Sequence, residues 1–141
     1  MTVDQPNGPG ASPAAPPAAP AKVKVELEAV PETTLWTLYH RAVEARRPDG
    51  LLHDPEAVEL VGRIDYPFAE RFGGERDLLA QLQALRVLSF DREVADFLVR
   101  CPRGTVVCLG DGLETEYWRV DNGRAQWLSV DLPDTIALRE R

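Results

Sequence analysis

Apolar residues recur every three or four positions from Pro31 to about residue 100, the spacing of amphipathic helices. A first helix is predicted to open at Pro31. A second begins where Asp54, a good N-cap residue, precedes Pro55, since proline suits the first helical position. Two further helices are predicted around Leu78, Leu79, Leu82 and Leu85 and around Val94, Phe97 and Leu98, the latter capped by Asp91.

From Thr105 onward the hydrophobic pattern changes to one typical of β-strands. Thr105–Leu109 is an apolar, β-prone run between glycines, and it predicts a strand buried on both faces. A helix over residues 113–120, a strand over Gln126–Val130 and a helix from Pro133 follow. The fold class is therefore predicted as α/β, with an N-terminal helical block followed by β-α-β-α. Two parallel strands leave both edges of a sheet open, so we expect a Rossmann-like, doubly wound fold that is incomplete at its C-terminus.

The first 24 residues have a different composition. Six of the chain's 12 prolines precede residue 21, mixed mainly with alanine. Such a segment cannot bury enough apolar surface to fold, so residues 1–24 are predicted to be a disordered leader and residues 25–141 the folded part. The leader lacks the basic and apolar regions of a signal peptide. Alternation at Val23, Val25 and Leu27 predicts a short extended arm.

Composition narrows the function classes. The 141 residues carry 23 acidic and 16 basic side chains, for a net charge of −7, which disfavours a nucleic-acid surface. No apolar run approaches the roughly 18 residues that a membrane helix needs. Cys101 and Cys108 are interpreted as buried, inert thiols suited to a reducing cytoplasm. The histidines are isolated, so no metal site is predicted. The basic residues Arg41, Arg46 and Arg47 are interpreted as a solvated helix end.

The strongest chemical signal lies directly after the first strand. Gly110 and Gly112 form a G-x-G turn, and such glycines let a ligand approach the backbone closely. Asp131 ends the next strand, 21 residues after Gly110, where an acid can accept hydrogen bonds from ribose hydroxyls. Strand, turn and acid together favour a nucleoside site over a plain turn in which Asp131 merely caps the following helix.

Thr115 stands where dinucleotide-binding turns carry a third glycine. That substitution disfavours a diphosphate ligand, and with it a nicotinamide-dependent oxidoreductase. It favours a nucleoside such as S-adenosylmethionine.

The same residues resemble a known family. Residues 107–120 are similar to the first motif of the leucine carboxyl methyltransferase family, an S-adenosylmethionine-dependent group that includes polyketide O-methyltransferases. The similarity lies in the Gly-x-Gly-hydrophobic-acid-Thr string and the Trp-Arg-Val step that follows. Residues 130–133 resemble its second motif, and residues 35–42 and 54–57 its helical N-terminal region. The resemblance covers residues 25–141.

The resemblance implies roles for four residues. Gly110 and Gly112 would lie beside the methionine and adenosine parts of the cofactor, and Asp131 would bind the ribose. Arg86 would hold the methionine carboxylate, because an arginine fork can bind both oxygens. From the residues alone, Arg86 is favoured as a solvated helix charge, and only the resemblance makes the carboxylate-binding role equally well supported. No catalytic residue is predicted, since methyl transfer needs mainly positioning and desolvation.

The leading functional hypothesis is methyl transfer from S-adenosylmethionine to a carboxylate or phenolic hydroxyl of a small-molecule acceptor. Family members continue beyond the second strand, so the 141-residue chain is expected to be a partial enzyme. The alternative is a non-catalytic truncated paralogue, or a fragment that acts as an interaction protein. The sequence predicts no oligomeric state.

Overall fold

The computed structural model describes residues 21–25, 32–74 and 77–141. The predicted leader lies outside the described residues up to position 20. The elements are β1 (Val23–Lys24), α1 (Glu32–Ala45), α2 (Pro55–Arg63), β2 (Ile64–Asp65), α3 (Phe68–Phe72), α4 (Asp77–Arg100), β3 (Thr105–Leu109), α5 (Glu116–Val120), β4 (Gln126–Val130) and α6 (Pro133–Arg139).

The helical block is built around α1. Its residues Leu35, Leu38 and Ala42 are fully buried, at the spacing that places them on one face. This face contacts α2, α3 and α4. The core also takes in buried residues from outside α1, namely Ala57, Ile64, Phe68, Phe72, Leu113 and Leu138.

The start of α2 follows the sequence prediction. The side chain of Asp54 accepts a hydrogen bond from the Ala57 backbone N–H at 3.0 Å, and Pro55 is the first helical residue. The carboxylate thereby satisfies a donor that the first turn of a helix leaves free.

The prediction of two helices in the region of α4 is wrong. A single helix runs over Asp77–Arg100, because neither glycine nor proline interrupts this stretch. Ser89, near its middle, donates its hydroxyl to the Leu85 carbonyl at 2.8 Å instead of ending the helix. Asp91 lies inside α4 and is not a helix cap. Its carboxylate binds Arg119 instead.

Strands β3 and β4 pair in parallel, as predicted, with Thr105 opposite Gln126 and Leu109 opposite Val130. Burial of β3 on both faces is not observed. Val107 is half exposed and Leu109 is 77% exposed, since no described element covers them. Among the described residues this sheet has two strands, so β3 and β4 each present one unpaired edge.

A second, very short pair of parallel strands was predicted only in part. In β1, Val23 lies opposite Ile64 of β2, so the predicted arm forms a strand at Val23–Lys24, within the last residues assigned to the leader, while Leu27 lies outside the described residues. Ile64 follows α2 directly, and its backbone is extended (φ −85°, ψ 132°).

Helix α5 is shorter than the predicted 113–120 and begins at Glu116. Leu113 instead lies in the preceding turn, where it is buried in the helical core. In the described part of the chain, no helix combines the length and apolar character that a membrane crossing requires.

Candidate functional site

A cavity of about 410 Å³ opens between α1, α4, β3 and the glycine turn. Such a volume is within the range of small-molecule sites. Its lining is mixed: Thr33, Thr34 and Thr37 come from α1, Arg86 and Phe90 from α4, and residues 110–114 from the turn.

The turn requires glycine at both predicted positions. Gly110 and Gly112 have φ values of +63° and +53°, in the left-handed region that other residues enter at a cost. A Cβ on Gly112 would also lie 3.2 Å from the Thr34 methyl group. A Cβ on Gly110 would meet nothing within 4 Å, so the backbone there is open to an approaching ligand.

Asp131 contacts this turn directly. Its Oδ2 accepts the Gly112 N–H at 2.6 Å, and its Oδ1 accepts the Leu132 N–H at 2.7 Å. The acid that ends β4 therefore fixes the conformation of the turn that follows β3. A carboxylate has about four lone-pair sites, so two acceptor positions remain available to another molecule.

Arg86 lies on the exposed surface of α4 and lines the same cavity as Gly110 and Gly112. Its guanidinium carbon is 5.3 Å from the centre of the Phe90 ring, within the distance of a cation–π contact. The structure thus brings three of the four predicted residues to one cavity. The fourth, Asp131, reaches that site through its bond to Gly112.

A buried ion-pair network, which the sequence did not predict, contacts the glycine turn through Leu113 and Glu114. Arg119 binds both carboxylate oxygens of Asp91, at 2.7 and 3.0 Å. It also donates to Asp54 at 2.8 Å and to Glu114 at 3.0 Å. Burial opposes the charge of Arg119, but these carboxylates outweigh burial and raise its pKa above the ordinary value.

Arg41 forms the second half of this network. It donates to the Glu114 carboxylate at 2.8 Å and to the Leu113 carbonyl at 2.6 Å. The interpretation of Arg41 as part of a solvated helix end is wrong, since the residue is only 2% exposed. Burial lowers the pKa of Arg41, and Glu114 and Asp54 oppose that effect.

Thr115 has a structural reason for replacing glycine. Its side chain is fully buried, its hydroxyl donates to Asp54 at 2.6 Å, and it accepts from Arg119 at 2.6 Å. The Thr115 side chain, at the third position of the motif, therefore links the start of α2 to α5. A glycine could not make these bonds.

Glu116, the first residue of α5, differs from the other acids around the cavity. One of its carboxylate oxygens, Oε1, is buried and has no hydrogen-bond partner among the described residues. Burial raises the pKa of Glu116 to about 7, and the nearby carboxylates of Asp91 and Glu114 add to the shift. This side chain can therefore change its charge near neutral pH.

Arg139 and Ser129 hold the other side of the turn. Arg139 donates to the carbonyls of Gly112 and Glu114, at 3.0 and 2.9 Å, and lies 3.1 Å from the Asp111 carboxylate. Ser129 donates its hydroxyl to the same carboxylate. These contacts tie the turn to β4 and α6.

The interpretation of the cysteines needs correction. Cys101 is exposed and Cys108 is only partly buried. Burial raises the pKa of Cys108 to about 11, so its thiol is protonated at neutral pH and is a poor nucleophile.

Comparison with known proteins identifies the family. A sequence model described as leucine carboxyl methyltransferase matches residues 34–141. The chain belongs to the leucine carboxyl methyltransferase family. The match includes α1 from its third residue onward, α2 to α4, the glycine turn and Asp131, and thus the whole of the cavity lining apart from Thr33.

The chain is also similar to two named methyltransferases. The chain is 36% identical over 118 residues to the tetracenomycin polyketide synthesis O-methyltransferase TcmP of Streptomyces glaucescens. It is 32% identical over 129 residues to the S-adenosyl-L-methionine-dependent methyltransferase dpfgK of Gibberella zeae. These alignments include 83% and 85% of this chain but 43% of each relative. No solved structure matches the chain significantly.

Proposed function

We propose that this chain provides the cofactor-binding part of an S-adenosylmethionine-dependent O-methyltransferase. The observation that carries the proposal is the bond between Asp131 and Gly112, which joins the acid that ends β4 to an open glycine turn. Membership in the family and the names of the two relatives support the same function.

The residues present fit the cofactor. Asp131 retains acceptor sites for the two ribose hydroxyls, the open side of Gly110 leaves room against the backbone, and Arg86 offers a fork for the methionine carboxylate. When bound, S-adenosylmethionine supplies a sulfonium methyl group that an acceptor oxygen attacks in line. The chain's own part is to bind and orient the cofactor, which can provide much of the rate enhancement.

The acceptor in this proposal is a small molecule with a carboxylate or a phenolic hydroxyl. The acidic net charge is consistent with a partner other than nucleic acid. We place the protein in the cytoplasm, since the exposed Cys101 and the partly buried Cys108 are both free thiols.

We further propose a Rossmann-like sheet to which β3 and β4 contribute two strands. Both strands have an unpaired edge, and Leu109, Leu128 and Val130 are each about half exposed or more. Apolar strands of this kind are normally covered by neighbouring strands and helices. The 141-residue chain then forms one wall of the site, with cofactor affinity no better than about millimolar and no turnover.

The open edges also favour the second candidate, a non-catalytic protein that binds a partner through β3 or β4. The two candidates differ in what Asp131 does. As a ribose ligand it contributes to cofactor affinity, whereas in an interaction protein it serves only to hold the turn.

Asp131→Ala separates these roles when binding of S-adenosylhomocysteine is measured by ligand-observed NMR, which also detects weak binding. We expect the variant to bind more weakly by about 1–3 kcal/mol, because hydrogen bonds to a charged acceptor are lost. Asp131→Asn should lose less, since one side-chain oxygen remains for the Gly112 N–H. Asp134→Ala, an exposed acid in the first turn of α6, is the matched control and should bind as the wild type does. Equal affinities for the wild type and Asp131→Ala would refute the ribose assignment.

A further inference from the structure

The cavity beside the glycine turn contains one acid whose buried oxygen lacks a hydrogen-bond partner. Glu116 lines this cavity, and its Oε1 is the buried oxygen described above. A buried carboxylate oxygen without a partner is costly, and at a cavity wall a bound donor group can satisfy it.

Most of the other charged groups that line the cavity form ion pairs within the protein. Arg41 is paired with Glu114, Arg119 with Asp91, and the carboxylate of Asp111 with Arg139 outside the cavity. Arg86 is different, because its guanidinium lies over the Phe90 ring and pairs with no carboxylate of the described residues. The cavity therefore offers a guanidinium and a carboxylate that are not engaged in ion pairs among the described residues. That combination complements a zwitterion.

We propose that Glu116 accepts the ammonium group at the amino-acid end of S-adenosylmethionine while Arg86 binds its carboxylate. This inference rests on the proposed function and adds the specificity-determining residue for the α-amino group. A nucleoside without an amino-acid end would make neither contact, so the pair selects for the whole cofactor.

The ionisation of Glu116 makes the assignment measurable. The pKa of about 7 results first from burial and then from the negative charges of Asp91, Glu114 and Asp111, while Arg119 opposes the shift. The remaining titratable or charged groups around Glu116 are Arg41 of α1, Arg86 of α4, Cys108 of β3, Tyr117 of α5 and Arg139 of α6. A bound ammonium stabilises the carboxylate and lowers its pKa, so binding should release a proton near neutral pH.

The test is an NMR titration of the full chain with three ligands. S-adenosylmethionine and S-adenosylhomocysteine both carry the amino-acid end, and 5′-methylthioadenosine lacks it. We expect Glu116→Gln to weaken binding of the first two about tenfold or more and to leave the third unchanged. Glu93→Gln, the same change at an exposed position of α4 away from the cavity, should alter none of them.

A second readout is the pH dependence of ligand affinity. For the wild type, S-adenosylhomocysteine affinity should rise between about pH 5.5 and 7.5 and then level off, because only ionised Glu116 attracts the ammonium. In Glu116→Gln this rise should disappear.

The outcomes are distinguishable. A loss confined to S-adenosylmethionine would mean that Glu116 acts on the sulfonium, and an equal loss for 5′-methylthioadenosine would mean that it only supports the fold; either result overturns the proposal. A flat pH profile for the wild type overturns it as well. If the wild type binds none of the three ligands, the proposed function itself fails.

Discussion

Replacing Arg119 with methionine would show how much the buried ion pairs contribute to the free energy of unfolding. The substitution keeps a long side chain but removes the donors that now reach Asp54, Asp91, Glu114 and Thr115. The Asp54 side chain is fully buried and that of Asp91 is 11% exposed, so water cannot readily replace the lost guanidinium.

The expected cost is large on the scale of protein stability. Removing one partner of a buried ion pair typically costs about 3–5 kcal/mol, against a total free energy of unfolding of about 5–15 kcal/mol. Arg119→Lys should recover part of the loss, because an ammonium keeps the charge but cannot bind both oxygens of Asp91 at once. Arg92→Met, at an exposed position on α4, is the matched control and should cost less than about 1 kcal/mol.

The pH dependence gives a second check. Burial would raise the pKa of Glu114, but Arg41 and Arg119 together hold it below the ordinary value of 4.5. A lowered carboxyl pKa contributes stability above the unfolded value and loses it as pH falls through the folded value. The gap between the wild type and Arg119→Met should therefore be largest near pH 7 and narrow in acid. Urea unfolding at a series of pH values measures this gap. A loss no greater than that of Arg92→Met, or a gap independent of pH, would refute the role given to Arg119.

Three further predictions concern other parts of the molecule. Because folding raises the pKa of Glu116 to about 7, stability should fall as pH rises from 4.5 towards 7. Glu116→Gln should then stabilise the protein at pH 8 by about 1–2 kcal/mol, a figure reduced for the half-exposed side chain, with little effect at pH 4, as urea unfolding would show. Gly112→Ala should lower stability by about 1–2 kcal/mol from its positive φ, with an added clash at Thr34, whereas Gly62→Ala in α2 has open space and should stabilise by up to about 1 kcal/mol; equal effects in denaturant titrations would contradict this difference. Deleting residues 1–20 should leave the thermal midpoint unchanged, since Val23 and its pairing with Ile64 are retained, and a large fall in calorimetry would show that the leader is part of the fold.

The parts of the fold that local chemistry determines were predictable. The Asp54–Pro55 helix start uses residues within one turn of each other, and the β3-turn pattern needs only a short apolar run followed by glycines. The parallel pairing of β3 and β4 followed from the intervening helix, since a direct hairpin connection was excluded.

The parts that depend on distant contacts were not predictable in the same way. Arg119 binds Asp91 and Asp54, which lie 28 and 65 positions earlier in the chain, and nothing near Arg119 in the sequence signals either partner. The sequence around Asp91 is typical of a helix cap, because its partner Arg119 lies far along the chain. The prediction therefore divided α4 into two helices at Asp91. Glu116 stands in the first turn of a helix, where acids are common, and the burial of its Oε1 shows only in three dimensions.

The central claim is that the turn at Gly110 and Gly112, fixed by Asp131, is the wall on which S-adenosylmethionine binds. The most direct measurement is a titration of the ¹⁵N-labelled protein with S-adenosylhomocysteine, followed through its backbone amide signals. We expect shifts at Gly110, Gly112 and Asp131 that grow with ligand concentration in the millimolar range, and no comparable shifts when NADH is added instead. Shifts confined to other regions, or equal shifts with NADH, would contradict it.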